Sequence, residues 1–322
     1  MIMAQTLIIV PSPIILLLHF LRITAVNIET LYNNLRGCRK SAQMFFKAST
    51  LPGYVLEWAE RHDRKSEKRG WICSTILPVF WTEKEKMRPG FDRIPMWVAD
   101  MNFPTVPTIP EAVIERAKHP AYGYFAPRDE YFEEIIQWHE KRNGVTGLKK
   151  EHIGYENGVL GGVVSALNVL CSKGDSVLLH SPTYIGFTGA LTNNGYNMVL
   201  SPLIQDESGM WRMDLEDMER KIIENKIHAA VFCSPHNPTG RVWEREELEK
   251  MMELYRKYDV YVVSDEIWSD LILAGHKHIP AQSISEDARQ RTIALYAPSK
   301  TFNLAGLIGS YHIIYNTWLR DR

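Results

Sequence analysis

From about residue 110 onward, short apolar runs alternate with amphipathic segments, and this alternation limits the folds open to the chain. Helical periodicity marks 110–118, 128–142, 161–172, 213–225 and 244–257. Among and after them lie 176-SVLLH-180, 196-YNMVL-200, 228-HAAVFC-233, 259-DVYVVS-264, 292-TIALY-296 and 311-YHIIY-315. These runs are continuous, rich in β-branched residues and bounded by turn formers, as strands covered on both faces are. Strands interleaved with helices predict βαβ units: an α/β fold with a doubly wound, mostly parallel sheet in an α/β/α sandwich. The segment 244–257, EREELEKMMELYRK, has its acidic residues first and basic ones last, as the helix dipole favours. After the last run only Thr317–Arg322 remain, so further covering elements are expected beyond that strand.

In a doubly wound sheet, ligands bind outside the carboxyl ends of the strands. The polar residues there carry the functional reading. Asn237, in 234-SPHNPTGRVW-243, is either a turn former restrained by Pro238 or an amide aimed at a ligand oxygen. Asp265 ends a strand and either caps a following helix or stands in a buried crevice that needs a cation. Lys300, in 297-APSKTFNLAG-306, is either a surface lysine or an amine activated in the same crevice. Tyr184 follows the strand at 176–180 as either a core aromatic or a ring facing the crevice. Glycines in 157-NGVLGGVVSALNVL-170 precede a helix whose first N–H groups can hold an anion. Amine, carboxylate, amide, ring and anion cradle together match pyridoxal phosphate, which needs a lysine amine and an acidic partner for its ring nitrogen.

The strings SPHNPTGRVW, VVSDEIWSDL and APSKTFNLAGL resemble those of fold-type I pyridoxal-phosphate enzymes of the class I/II aminotransferase superfamily, over about Phe91 to Asn316. PMWVADMNFPT at 95–105, YGY at 122–124, GHKHIP at 275–280 and SKTFNLAG at 299–306 are most similar to the MalY/PatB-type cystathionine β-lyases, a C–S lyase branch. The resemblance implies pyridoxal 5'-phosphate as cofactor and assigns roles by position. Lys300 would hold the cofactor covalently and shuttle a proton. Asp265 would pair with the ring nitrogen, Asn237 with the phenolic oxygen, and Tyr184 would stack on the ring. The backbone at Leu160 and Gly161, with Ser299, would hold the phosphate. Tyr124 would reach the phosphate of a partner subunit, which implies a homodimer. Asp100 to Phe103 would lie near the mouth of the site.

The implied activity is β-elimination from cystathionine or a related S-substituted cysteine, giving a thiol, pyruvate and ammonia, as in methionine biosynthesis. A class I/II aminotransferase, or a catalytically incomplete cofactor-binding fragment, are the alternatives. Ile308 stands eight residues after Lys300, where typical aminotransferases carry an arginine that clamps the phosphate. The C–S lyase branch also lacks it. Ala297 occupies a position where many relatives have serine, so phosphate binding leans on backbone amides and Ser299. The family's substrate-carboxylate arginine belongs to a C-terminal small domain, which this sequence does not reach; Arg320 and Arg322 follow the last strand too closely. The expected organisation is an N-terminal extension and arm over 1–90 and a large domain over 91–322, incomplete at its C-terminus.

Other features narrow the class. With 37 Lys+Arg against 38 Asp+Glu and a net charge of −1, the chain has no basic excess for nucleic acid. Cys38, Cys73, Cys171 and Cys233 are widely spaced, which argues against a disulfide framework and for a reduced, cytoplasmic setting. His276 and His278 flank Lys277 without a further ligand nearby and read as a surface loop rather than a metal site. Residues 7–21 are apolar, but Pro11 and Pro13 interrupt them and they fall short of a membrane span. No basic residue precedes Arg22, so a signal peptide is not expected either. The run 60-ERHDRKSEKR-69 reads as a solvated face or linker.

Overall fold

A computed structural model of the chain describes residues 99, 101, 104–273 and 275–322. The apolar stretch at 7–21, the charged run at 60–69, the 1–90 extension, and Asp100, Asn102 and Phe103 lie outside the described residues. Of the described residues, 99, 101, 105–273 and 275–322 belong to one compact unit.

Helices α1 (Thr108–Ala117) and α2 (Asp129–Asn143) come first. Gly144, at φ 67°, ends α2 in the left-handed conformation that a side chain resists, with Lys141 and Arg142 in the last turn. Strand β1 (Ile153–Glu156) leads into α3 (Val159–Leu170), and β2 (Ser176–Ser181) into α4 (Ile185–Asn193). Strand β3 (Asn197–Pro202) is followed by a small hairpin, β4 (Ile204–Gln205) and β5 (Trp211–Arg212). Helix α5 (Leu215–Asn225) starts two residues later than its periodicity predicts, because the Asp214 side chain caps it by accepting the Asp217 N–H. Then follow β6 (Ala229–Cys233), α6 (Arg245–Lys257), β7 (Tyr261–Asp265), α7 (Glu286–Arg291) and β8 (Thr292–Tyr296). Helix α6 opens with a capping box in which Glu244 and Glu247 bond each other's backbone N–H groups. The short α8 (Pro298–Thr301), β9 (Ser310–Ile313) and α9 (Thr317–Arg320) complete the order.

Seven strands form one sheet in the order β1-β9-β8-β7-β6-β2-β3. The five strands from β8 to β3 in that order pair in parallel. The last apolar run departs from the parallel expectation: β9 is antiparallel to both β8 and β1. The chain returns from β8 through α8 and a 3-10 turn at Ala305–Leu307, without the long crossover helix that a parallel neighbour needs.

Period-two alternation divides the core into two layers. Val177, Leu179, Val231, Val263, Ile293 and Leu295 pack with Val163 and Leu167 of α3 and Phe187 and Leu191 of α4. Leu178, Ala230, Phe232 and Val262 face the opposite way, onto Met218, Ile222, Leu248, Met251 and Tyr255 of α5 and α6. Burying one such Leu or Ile side chain contributes about 1.5–3 kcal/mol, so both layers hold the sheet rigid beneath its loops. The result is the α/β/α sandwich expected from the sequence. Among the described residues, no helix is long and apolar enough to cross a membrane.

Candidate active site

Strands β2, β6, β7 and β8 are parallel neighbours, and β1 points the same way through the reversed β9. Their five carboxyl ends therefore share one edge of the sheet. Tyr184, Asn237, Asp265, Lys300 and the start of α3 all lie on segments that leave this edge. Topology thus brings together residues separated by more than one hundred positions.

Asp265 is the last residue of β7 and is 5% exposed. No helix follows it, which removes the capping reading; its carboxylate instead accepts the Ile267 N–H at 3.1 Å. Burial pushes this carboxyl up to about 7; the Ile267 N–H opposes the rise, the Glu266 charge adds to it, and the Lys300 charge opposes it. A carboxyl so placed gains most from a cation at the edge.

Lys300 lies in α8, which Pro298 opens at its first turn. Its Nζ donates to the Ala99 carbonyl at 2.9 Å and stands 5.7 Å from the centre of the Trp268 ring. The next residue, Thr301, donates to Asp270 at 2.8 Å. Asp270 also accepts Trp138 Nε1 and Arg142 Nε of α2, each at 3.3 Å, while the Trp138 ring packs 5.6 Å from that of Phe302. Helix α2 thereby pins the turn that presents Lys300. Asn303, at φ 56°, donates to the Met101 carbonyl at 3.1 Å, so Met101, the one described residue of the expected mouth, adjoins the lysine turn.

The Asn237 and Tyr184 loops are tied to each other. His236 Nε2 donates to the Pro182 carbonyl at 2.8 Å, and burial holds His236 below the usual histidine range. Asn237 itself is half-buried, with no side-chain hydrogen bond among the described residues. Tyr184 is half-buried, its ring edge-on to Phe187 at 5.5 Å. It lies over Gly186: a Cβ there would stand 2.3 Å from Tyr184 Cε1.

Gly158, at φ 83°, turns the chain into α3, and the first intrahelical bond runs from Gly162 N–H to the Gly158 carbonyl at 3.1 Å. The N–H groups of Val159, Leu160 and Gly161 are left for an external acceptor. Ile308 closes this corner: its Cγ2 is 3.8 Å from where a Cβ on Gly158 would stand. It holds φ 57°, a strained value for a β-branched residue. Ser299 is half-buried in α8, whereas Tyr124 is 96% exposed and is not packed against these residues. Arg320 and Arg322 lie on and just after α9, past the reversed strand; the preceding Asn316 donates to Gln290 just ahead of β8, at the sheet's other end.

Three residues here were not singled out by sequence reasoning: Trp268, Gly186 and Glu266. Trp268 and Glu266 both sit in DEIWSDL, where a charged residue next to a strand end looks solvated. The surface-loop reading of His278 is corrected. It is 3% exposed, because its Nε2 hydrogen-bonds the buried Glu266 carboxylate at 2.7 Å. A lysine amine whose charge is felt by a buried carboxyl, an unengaged amide, an aromatic face and a helix start with unused N–H groups fit pyridoxal phosphate in size and chemistry.

The model of the family described as aminotransferase class I and II matches residues 94–321. The chain is 37% identical over 252 residues to the cystathionine beta-lyase PatB of Bacillus subtilis (strain 168), covering 78% of this chain and 63% of PatB. It is 32% identical to the protein MalY of Escherichia coli (strain K12), covering 71% of this chain and 58% of MalY. A solved structure of the PLP-bound C-S lyase from Staphylococcus hominis superposes with a TM-score of 0.66 at 36% identity, covering 70% of this chain and 57% of that one. The chain thus spans less than two thirds of the length of these relatives.

Proposed function

The chain belongs to the class I and II aminotransferase family, and on that premise we propose that it binds pyridoxal 5'-phosphate and acts as a C–S β-lyase. The substrate class is cystathionine or a related S-substituted cysteine. The observation that carries the cofactor assignment is Asp265: a buried carboxyl pushed up to about 7 by burial, at the strand edge that also presents Lys300. Similarity to PatB and to the Staphylococcus hominis C-S lyase supports the lyase branch. So does Ile308, an apolar residue beside Gly158 where an arginine clamp would otherwise stand.

When bound, the cofactor supplies a conjugated ring that takes up the electrons of a breaking C–H bond. Lys300 would hold it covalently and, as a free amine, would take the proton from the substrate α-carbon, help worth about 10²–10⁴-fold. Asp265 would face the ring nitrogen, Asn237 would donate to the phenolic oxygen, and Tyr184 would lie against the ring face. The N–H groups of Leu160 and Gly161, with Ser299, would hold the phosphate. The overall reaction would be β-elimination: the proton leaves the α-carbon, the thiol leaves the β-carbon with the C–S electron pair and a proton, and water converts the remaining three-carbon fragment to pyruvate and ammonia. The family resemblance carries the expectation of a homodimer in which Tyr124, 96% exposed, would serve the site of a second copy. A cytoplasmic role in methionine biosynthesis is part of this proposal; the wide spacing of the cysteines supports a reduced setting.

The test is pyruvate release from L-cystathionine by the 322-residue chain with added pyridoxal phosphate and no keto acid. Pyruvate that disappears in Lys300→Ala is the expected result. Turnover that needs a keto acid and yields no pyruvate would replace the lyase reading with transamination.

A further inference from the structure

Lys300 sits in a single helical turn, Pro298–Thr301. Two backbone bonds close it, from the Phe302 N–H to the Pro298 carbonyl and from the Leu304 N–H to the Ser299 carbonyl, each at 2.9 Å. One turn is too short to keep its shape unaided, so the aim of the amine is set by what grips the turn. The segment after β7 grips it at two points. Trp268 puts its ring centre 5.7 Å from Lys300 Nζ, and Asp270, two residues on, accepts the Thr301 hydroxyl at 2.8 Å. Bonds from the Ser269 N–H to the Glu266 carbonyl and from the Leu271 N–H to the Trp268 carbonyl, each at 3.0 Å, fold this segment into consecutive turns. Asp270 is held in its turn by α2. The Oδ2 atom that takes Thr301 also takes Trp138 Nε1 at 3.3 Å, Oδ1 takes Arg142 Nε at 3.3 Å, and the Asp270 carbonyl takes Arg142 Nη2 at 3.4 Å. Three side-chain donors converging on one group call for a carboxylate, which only accepts; an amide would turn its own N–H groups toward one of them. The Asp270 side chain is 11% exposed and that of Arg142 49%, and an ion pair with so exposed a partner adds little stability.

We propose that Asp270 is a positioning residue for Lys300, acting through Thr301: it fixes the lysine turn against α2 and so aims the amine at the cofactor's aldehyde carbon. This rests on the reading of Lys300 as the cofactor lysine. In that capture the amine nitrogen bonds the aldehyde carbon, and the aldehyde oxygen leaves as water. The grip works on the amine rather than on the ring or the phosphate, because Tyr184, Asn237 and the start of α3 are placed by β2, β6 and β1. A reacting group misplaced by about 1 Å costs about 10²-fold in rate. Loss of the Thr301 hydroxyl from this hub should therefore slow the reactions of Lys300 and leave the rest of the cofactor's affinity in place.

The test uses the full chain and two ligands. Pyridoxal phosphate reports capture by Lys300, as the rate at which visible absorbance appears. Pyridoxine phosphate, with an alcohol in place of the aldehyde, reports the ring and phosphate contacts alone, as an equilibrium affinity. In Thr301→Val capture should slow about 10- to 100-fold with the affinity for pyridoxine phosphate unchanged. Thr301→Ser, which restores the hydroxyl, should return the wild-type rate. Asp270→Ala should also be slow, and adding Thr301→Val to it should change nothing further, since the two act as one pair. An unchanged rate in Thr301→Val overturns the proposal, as does additive slowing in the double variant. Equal losses for both ligands also overturn it and make the pair a structural brace. If the wild type captures no pyridoxal phosphate, the cofactor reading fails, and acetic anhydride then probes the amine alone. Acetylation of Lys300, read by peptide mass against the exposed Lys250, that shifts in Thr301→Val sustains the positioning, and identical labelling overturns it.

Discussion

Gly186→Ala separates the stability of the chain from its grip on the cofactor. The added methyl would stand 2.3 Å from Tyr184 Cε1, 2.8 Å from Tyr184 Cζ and 2.9 Å from Leu160 Cδ1. Ordinary contact begins near 3.4 Å, so the Tyr184 ring must withdraw by roughly 1 Å. Overpacking of this kind costs about 1–3 kcal/mol, while alanine in place of glycine in a helix returns about 0.5–1 kcal/mol. The cofactor-free protein therefore loses at most about 2.5 kcal/mol. The ring, moved off its bearing, also gives up most of a stacking contact worth about 0.5–1.5 kcal/mol, and phosphate contacts at Leu160 shift with it. Affinity for pyridoxal phosphate should fall about 2- to 12-fold. The assay is an equilibrium titration by visible absorbance beside a thermal melt without cofactor. Gly189→Ala is the control: it lies in the same helix with nothing within 4 Å of the new methyl, and it should leave affinity unchanged. Wild-type affinity in Gly186→Ala would refute the reasoning that Tyr184 is seated on Gly186.

Lys300→Ala should abolish the visible absorbance of added pyridoxal phosphate and all pyruvate release; residual colour after dialysis would mean another amine holds the cofactor. Asp265→Asn should stabilise the cofactor-free chain at pH 8 by a few kcal/mol, because a carboxyl raised from 3.8 to about 7 by burial penalises the fold progressively as pH rises between those values. Melts at pH 4 and 8 check this, and equal gains at both would count against it. His139, lowered from 6.5 to about 4 chiefly by burial, should withdraw about 3 kcal/mol of stability as pH falls through that window, since only the unfolded chain binds the proton there. His139→Gln should flatten the acid limb of a urea-unfolding series, and parallel limbs in the two proteins would contradict the assignment.

Much of the fold was legible because β6 and β8 are buried along their whole length and so read as unbroken apolar runs. Strand β1, Ile153–Glu156, was not legible: it is four residues long, half-solvated, and carries Gly154 against the His312 ring. Helix α4 contains Gly186, Gly189 and two threonines, which blur its period. The direction of β9 was hidden because an apolar run has no polarity of its own. At the site, Lys300, Asp265 and Asn237 could be picked out, since each lies at or within four residues of the carboxyl end of a buried strand. Glu266 could not. Its burial is compensated by His278, Ala281 and Tyr296, which lie 12, 15 and 30 positions away, so no local pattern reports it. For the same reason His278 looked like part of an exposed loop.

The reversed β9 sorts the ends of the molecule. It carries the chain down from the edge that presents Lys300, and Asn316 comes to rest on the Gln290 carbonyl at the foot of β8. Arg322 therefore lies at the opposite pole from the lysine. A bead, dye or fused carrier coupled there would leave the edge that presents Lys300 open to solvent. The same load on the turn at Ala305–Leu307, between Lys300 and Ile308, would shade it. A bench chemist choosing where to immobilise this protein can take that choice from the direction of a single four-residue strand.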